Sequence, residues 1–253
     1  MRPVMSNTSW ESSHRWYDSI VGEKGHYYHE HTVLPGSLKL LQLKKGDSLL
    51  DLGCGQGVLS RQLPSDIDYV GIDASPSLVQ EAKKRSKKSF FVGDITKPLP
   101  IKHDPFSHAA LILVLQNVED HAAALANAAK HLKPGGKLLL VLNHPYFRIP
   151  RQSAWGIDES KKLQYRRVDT YMTSLKIPIQ TNPGSGEQSS QTWSFHVPLS
   201  GYIQALSQAG FVIEKMEEWV SDKKSTGPKA KMENRSRLEF PLFLALLCKK
   251  SVD

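Results

Sequence analysis

Two cysteines in 253 residues are too few to staple a fold, and their spacing is not that of a zinc site. Cys54 lies between glycines and Cys248 in an apolar C-terminal run, so both read as reduced thiols. No stretch reaches the ~18 apolar residues a membrane-crossing helix needs, and the N-terminus has no apolar run of signal-peptide length. A soluble, cytoplasmic protein is expected. No internal repeat is visible, which excludes a solenoid. Acidic residues are in deficit, 25 Asp+Glu against 33 Lys+Arg, for a net charge of +8. That balance suits anionic partners and raises nucleic acid, yet runs such as Lys83-Lys84-Arg85 read equally as a solvated helix end. The length supports one domain with an insertion.

What the chain does have is a glycine cluster behind an apolar run. Ser48 to Leu52 reads as a buried strand, Gly53, Gly55 and Gly57 as a tight turn, and Val58 to Leu63 as the first turns of a helix. Glycines let a backbone approach a bound group closely, and free amides at a helix start point at it. Tyr69 to Asp73 is a second strand ending in acid, and Asp73 lies 20 residues after Gly53. At that offset a carboxylate meets ribose hydroxyls in nucleotide-binding α/β folds.

The remaining chain alternates short apolar strands with helices, the pattern of a parallel sheet. Ser12 to Ile20 and Thr32 to Leu43 read as helices. Ser75-Pro76 is a helix start with serine as N-cap. Strands are expected at Ser89–Val92, at His108–Leu115 and at Lys137–Leu142. The alanine-rich helix His121–Leu132 is to end at Lys133-Pro134-Gly135-Gly136. Pro198 to Gly210 is another helix, and Phe211–Val220 and Phe240–Cys248 are the last strands. Ser221 to Glu239 is expected to be a mobile, charged surface segment. Residues 143–197 are too long for a plain loop and must fold on themselves or pack as a cap. There, Lys161–Met172 is helical or extended, Thr181–Gly186 turns, and Gln191–Val197 is a strand, the two flanks pairing as a hairpin.

Asp51-Leu52-Gly53-Cys54-Gly55-Gln56-Gly57 resembles the first motif of the class I S-adenosylmethionine-dependent methyltransferases, small-molecule type. A nicotinamide dehydrogenase loop would place its third glycine one residue later. The resemblance implies a Rossmann-like α/β fold: a mostly parallel seven-stranded sheet, an antiparallel C-terminal edge hairpin and an insertion after strand five. The organisation expected is an N-terminal cover (1–31), a cofactor-binding core (32–142), an acceptor-side cap (143–197) and the rest of the core sheet (198–253). By carry-over, Gly53, Gly55 and Gly57 line the methionine moiety of S-adenosylmethionine, Asp51 orders the loop and helps hold the amino group, and Asp73, followed by Ala74, takes the ribose. Asp94 accepts from the adenine amino group or caps a turn; Ile95 lies on the ring, Gln116 near the sulfonium, and Tyr28 reaches in from the cover.

Three histidines are candidates for a base, His being the side chain that titrates nearest neutrality: His144 just beyond strand five, His29 in the cover and His196. A structural role stands beside each. His29 and His31 invite a metal reading, but no cysteine or well-spaced third ligand accompanies them, and no metal is expected. Tyr146, Phe147, Trp155 and Trp193 are expected to line an apolar acceptor pocket. Arg148 and Arg151 would meet a carboxylate or phosphate there, or lie on the surface. The reaction implied is methyl transfer to an O-, N- or C-nucleophile of a small molecule, leaving S-adenosylhomocysteine, by a monomer or homodimer. The alternatives are an RNA- or ribosome-directed methyltransferase and a non-catalytic cofactor-binding protein.

Overall fold

The computed structural model describes residues 10–181 and 191–252. Its strands are β1 (Ser48–Leu52), β2 (Asp68–Asp73), β3 (Ser89–Val92), β4 (Phe106–Ile112), β5 (Leu132–Asn143), β6 (Ser153–Asp158), β7 (Leu163–Val168), β8 (Leu175–Gln180), β9 (Gln191–His196), β10 (Phe211–Trp219) and β11 (Phe243–Lys250). The α-helices are α1 (His14–Val21), α2 (Leu34–Leu41), α3 (Pro76–Arg85), α4 (His121–His131), α5 (Leu199–Gln208) and α6 (Ala230–Glu239).

Seven strands form one sheet in the order β10-β11-β5-β4-β1-β2-β3. β1 pairs in parallel with β2 and β4, and β11 runs antiparallel between β5 and β10. This is the expected Rossmann-like sheet with its antiparallel edge hairpin. The central strands are apolar throughout because both faces are covered. Leu50, Leu52, Leu138 and Leu140 face α4 and α5, whose Ala124, Ala128 and Leu206 are fully buried. Leu49, Leu139 and Val141 face α2 and α3 through Leu41, Val79 and Ala82. The strand order reverses direction between β1 and β4, and there the crevice at the strands' C-terminal ends is open to a ligand.

Several elements depart from expectation. After Gly57 there is only a 3-10 turn, Ser60–Gln62, because Pro64 follows too soon for a helix to propagate. β5 begins early: Lys133–Gly136 bulges out between the pairs Phe106↔Leu132 and His108↔Lys137 instead of ending the pairing. The two flanks of the 181–186 region do pair as a hairpin, β8 with β9, but the first flank is Leu175–Gln180, and Lys161–Met172 instead contains β7, paired with β6. The charged 221–239 segment contains α6, which buries only Met232 and Ser236. Ser236 Oγ donates to the Gln164 carbonyl at 2.9 Å and Arg235 to that of Lys162 at 3.1 Å, so tertiary contacts fix a helix its composition conceals. The turn expected at 181–186 lies, beyond Thr181, outside the described residues. Among the described residues no helix is long and apolar enough to cross a membrane.

Candidate active site

A cavity of about 1170 Å³ opens at the C-terminal ends of β1, β2 and β4. It exceeds the usual volume of a single small-molecule site, about 300–1,000 Å³, and has room for two reactants. The glycine loop forms its floor. The Gly53 and Cys54 amides both donate to the Ile72 carbonyl, at 2.7 and 3.0 Å. Gly53 has φ +79°, and a Cβ there would lie 2.5 Å from both methyls of Val114. The Gly55 amide donates to Asp73 Oδ2 at 2.8 Å, while Oδ1 accepts from the Ser75 amide at 2.9 Å. Asp73 thus ties the loop to the end of β2 and still forms part of the cavity wall with Ala74. Burial raises its carboxyl above the usual range, opposed by those two amides.

Asp51 is placed differently from expectation. It is buried behind the wall and its Oδ2 accepts from the Tyr69 hydroxyl at 2.7 Å. Gly71 leaves the space: a Cβ there would lie 2.9 Å from that hydroxyl. Burial pushes the Asp51 carboxyl up to about 7 from an ordinary 3.8, with the neighbouring Asp73 charge adding and the Tyr69 bond opposing. A raised acid holds its proton in the folded state, so this group's contribution to stability is full below pH ~4 and is lost as pH rises toward 7. Tyr69→Phe removes the opposing bond. It is expected to cost about 1–3 kcal/mol, with a melting deficit that widens between pH 6 and pH 8; an equal deficit at both pH values would refute the coupling.

Gly57 is packed beneath Phe90, 3.0 Å from a built Cβ, and does not reach the cavity. Ile95, Asp94 and Gln116 do. Asp94 Oδ1 accepts from the Thr96 amide and hydroxyl, each at 2.8 Å, so the turn-capping role and the wall position coexist. Gln116 Nε2 donates to the Leu113 carbonyl at 2.8 Å, and Leu113 itself takes φ +58°, a strained backbone for a leucine.

Residues of the N-terminal segment line the cavity, but Tyr28 is not one of them. Tyr28 packs on Phe243 and its hydroxyl meets Ser221 Oγ at 3.1 Å. Trp10, Trp16, Tyr17, Ile20, His26 and His29 form the wall. The segment is tied down on α3: the Glu11 carboxylate accepts from the Ser75 and Ser77 hydroxyls and from the Ser77 amide at the helix N-terminus, where negative charge is favoured. Asp18 and Arg85 form a two-pronged pair at 2.6 and 2.7 Å, and Gln56 Nε2 donates to the Gly22 carbonyl at 2.7 Å.

Of the three candidate bases only His29 lines the cavity. His144 caps a turn, its Nδ1 accepting from the Tyr146 and Phe147 amides at 3.3 and 3.4 Å and its Nε2 meeting Glu218 at 2.8 Å. His196 Nε2 is 2.6 Å from the Tyr171 carbonyl. Both sit off the wall with ring nitrogens engaged by the protein. The expected acceptor residues are displaced too. Tyr146, Phe147 and Trp155 join Tyr171 and Phe240 in a separate aromatic cluster. Arg148 lies over the Phe243 ring, Arg151 borders a smaller cavity, and Trp193 lies under Lys176. Successive strand residues point to opposite faces, so it is Thr192 and Ser194 that face the cavity, with Ile179 of β8. Among the described residues no group of three or more His, Cys, Asp or Glu could hold a metal ion.

Buried side-chain atoms without a partner number five among the described residues, and three belong to this wall: His29 Nδ1, Gln116 Oε1 and Thr192 Oγ1. Such atoms are costly unless a ligand satisfies them.

A family model described as a methyltransferase domain matches residues 50–140. A demethylmenaquinone methyltransferase of Beutenbergia cavernae is 29% identical over 180 residues, 69% of this chain and 70% of that protein. An uncharacterised transposon protein of Streptomyces fradiae is 36% identical over 111 residues, but the chain spans only 32% of its length. In three dimensions the chain is similar to an S-adenosylmethionine dependent methyltransferase from Mesorhizobium loti, with TM-score 0.67 at 23% identity, covering 87% of this chain and 99% of that one. The chain has the class I S-adenosylmethionine-dependent methyltransferase fold, and residues 50–140 match a methyltransferase domain.

Proposed function

We propose that the protein transfers a methyl group from S-adenosylmethionine to a small-molecule acceptor held between the sheet edge, the cover of residues 1–31 and the cap of residues 143–197. The observation that carries this reading is the convergence of three partnerless polar atoms on one cavity. Asp73 would take the ribose hydroxyls, Gly53 and Gly55 the methionine end, Asp94 and Ile95 the adenine, and Gln116 Oε1 the sulfonium side. The bound cofactor supplies an electrophilic methyl carbon on a cationic sulfur. The chain's part is to align an acceptor with that carbon and exclude water, and alignment alone is worth about 7–11 kcal/mol in favourable cases. The demethylmenaquinone methyltransferase relative supports a small-molecule acceptor such as a quinone precursor. An RNA-directed role has the net charge of +8 in its favour, but the wall itself carries Asp73, Asp94, Glu119 and Asp120 against Lys97, which repels a polyanion. Titration calorimetry should show S-adenosylhomocysteine binding with Kd in the micromolar range, about −8 kcal/mol, and no competition by NAD; preference for NAD would overturn the reading.

A further inference from the structure

We propose that His26 holds the charged oxygen of the acceptor, and that the acceptor is a phenol or an enol that reacts as its anion, at oxygen or at the conjugated carbon. The inference rests on the methyl-transfer reading of the cavity and adds the substrate class. His26 lies on the wall with its ring 4.1 Å from that of His29. Its Nδ1 is committed as an acceptor for the Tyr28 and His29 amides, at 3.1 and 3.4 Å. A neutral imidazole so used carries its hydrogen on Nε2, and that N–H is what it offers a ligand.

Positive charge gathers behind this group. Arg148 is half-buried, its guanidinium 5.2 Å over the Phe243 ring, with the Leu242 carbonyl at 3.5 Å. No carboxylate pairs with it among the described residues. Lys223 Nζ stands 4.3 and 5.0 Å from the ring centres of Tyr27 and Tyr28. Burial first, then both cations, lower the proton affinity of His26, and the same field favours an anion bound to it. The wall is acidic overall, but its acids hydrogen-bond elsewhere, Asp73 to Gly55 and Ser75, Asp94 to Thr96, Glu119 to Lys176 and Asp120 to the Ala123 amide, and among the described residues none bonds to His26.

His29 cannot substitute as a base for a plain alcohol. Burial pushes it down to about 3, far from the operating pH at which general bases are effective. A phenol, with an ordinary pKa of about 10, ionises far more readily than a plain alcohol, and this field increases its reactive phenolate fraction. Its proton leaves to water. The phenolate oxygen, or the carbon of an enolate, then bonds to the methyl carbon as the S–C bond breaks, and that electron pair stays on sulfur. The anion and the sulfonium give a neutral methylated product and neutral S-adenosylhomocysteine.

The test uses the protein loaded with S-adenosylhomocysteine and a chromogenic phenol, 4-nitrophenol, followed by phenolate absorbance from pH 5 to pH 8. The bound probe should stay ionised about one pH unit lower than in free solution, the scale of a nearby opposite charge. Arg148→Gln should remove most of that shift, as should His26→Asn, which keeps an acceptor for the two amides but shortens the reach. Both variants should retain S-adenosylhomocysteine affinity within about twofold. A bound probe that titrates as it does in water overturns the proposal, as does a loaded protein that fails to bind it at millimolar concentration. Failure to bind S-adenosylhomocysteine itself would instead overturn the methyl-transfer reading beneath it.

Discussion

Asp73→Ala is expected to weaken S-adenosylhomocysteine binding by tenfold to a hundredfold in calorimetry. The carboxylate does two things at once: it accepts the Gly55 and Ser75 amides at 2.8 and 2.9 Å and it faces the cavity. Hydrogen bonds to a charged group are worth about 1.5–3 kcal/mol each, and alanine removes both the contact with the ligand and the pin on the loop. Asp73→Asn separates the two. Its remaining carbonyl oxygen can hold one amide, but the NH2 group faces the other donor, so affinity should fall less than in the alanine variant and well below wild type. A loss smaller than twofold in Asp73→Ala would remove this residue from the cofactor site.

Gly53→Ala should damage stability and cofactor binding together. The added Cβ meets both Val114 methyls at 2.5 Å while the backbone is held at φ +79°. Overpacking costs about 1–3 kcal/mol, and a non-glycine residue in left-handed backbone about 1–3 kcal/mol more. Relief by moving Val114 shifts the cavity wall beside Gln116, so cofactor affinity should fall at least tenfold together with stability. Gly135→Ala is the control, with φ +72° but no atom closer than 3.7 Å to its Cβ; it should show the backbone cost alone and unchanged binding. The double variant Gly53→Ala, Val114→Ala should recover the packing part and not the backbone part. Denaturant melts of the four proteins decide this, and a Gly53→Ala no worse than Gly135→Ala would refute it.

How far the sequence could be read depended on whether local chemistry or packing decides the outcome. β1, β2, β4 and β5 were legible because strands covered on both faces must be apolar, and the spacing of Asp73 from Gly53 pointed to the edge of the cavity that both residues line. α6 was illegible, since its only buried side chains are Met232 and Ser236 and its charges outweigh them. In the cap, aromatic residues drew attention to Tyr146, Trp155 and Trp193, while the alternation of β9 aims Thr192 and Ser194 inward. Trp16 and Tyr17 of the first helix read only as its apolar face, although such rings in a polar stretch were the signal available for the cavity wall. The histidines carried none: His144, His29 and His26 differ in their partners, not in their neighbours along the chain.

The cover has a kinetic meaning. Trp10, Trp16, Tyr17 and Ile20 are part of the cavity wall and, on the proposed reading, also its door. Its fastenings are charged: Asp18 on Arg85, and Glu11 on the start of α3. Such pairs weaken as salt screens them. On the proposed reading the spent cofactor would leave past this segment, so the exit step, unlike the bond-making step, would answer to ionic strength. Turnover at saturating acceptor that quickens with added salt is the behaviour of a site whose clock is its door.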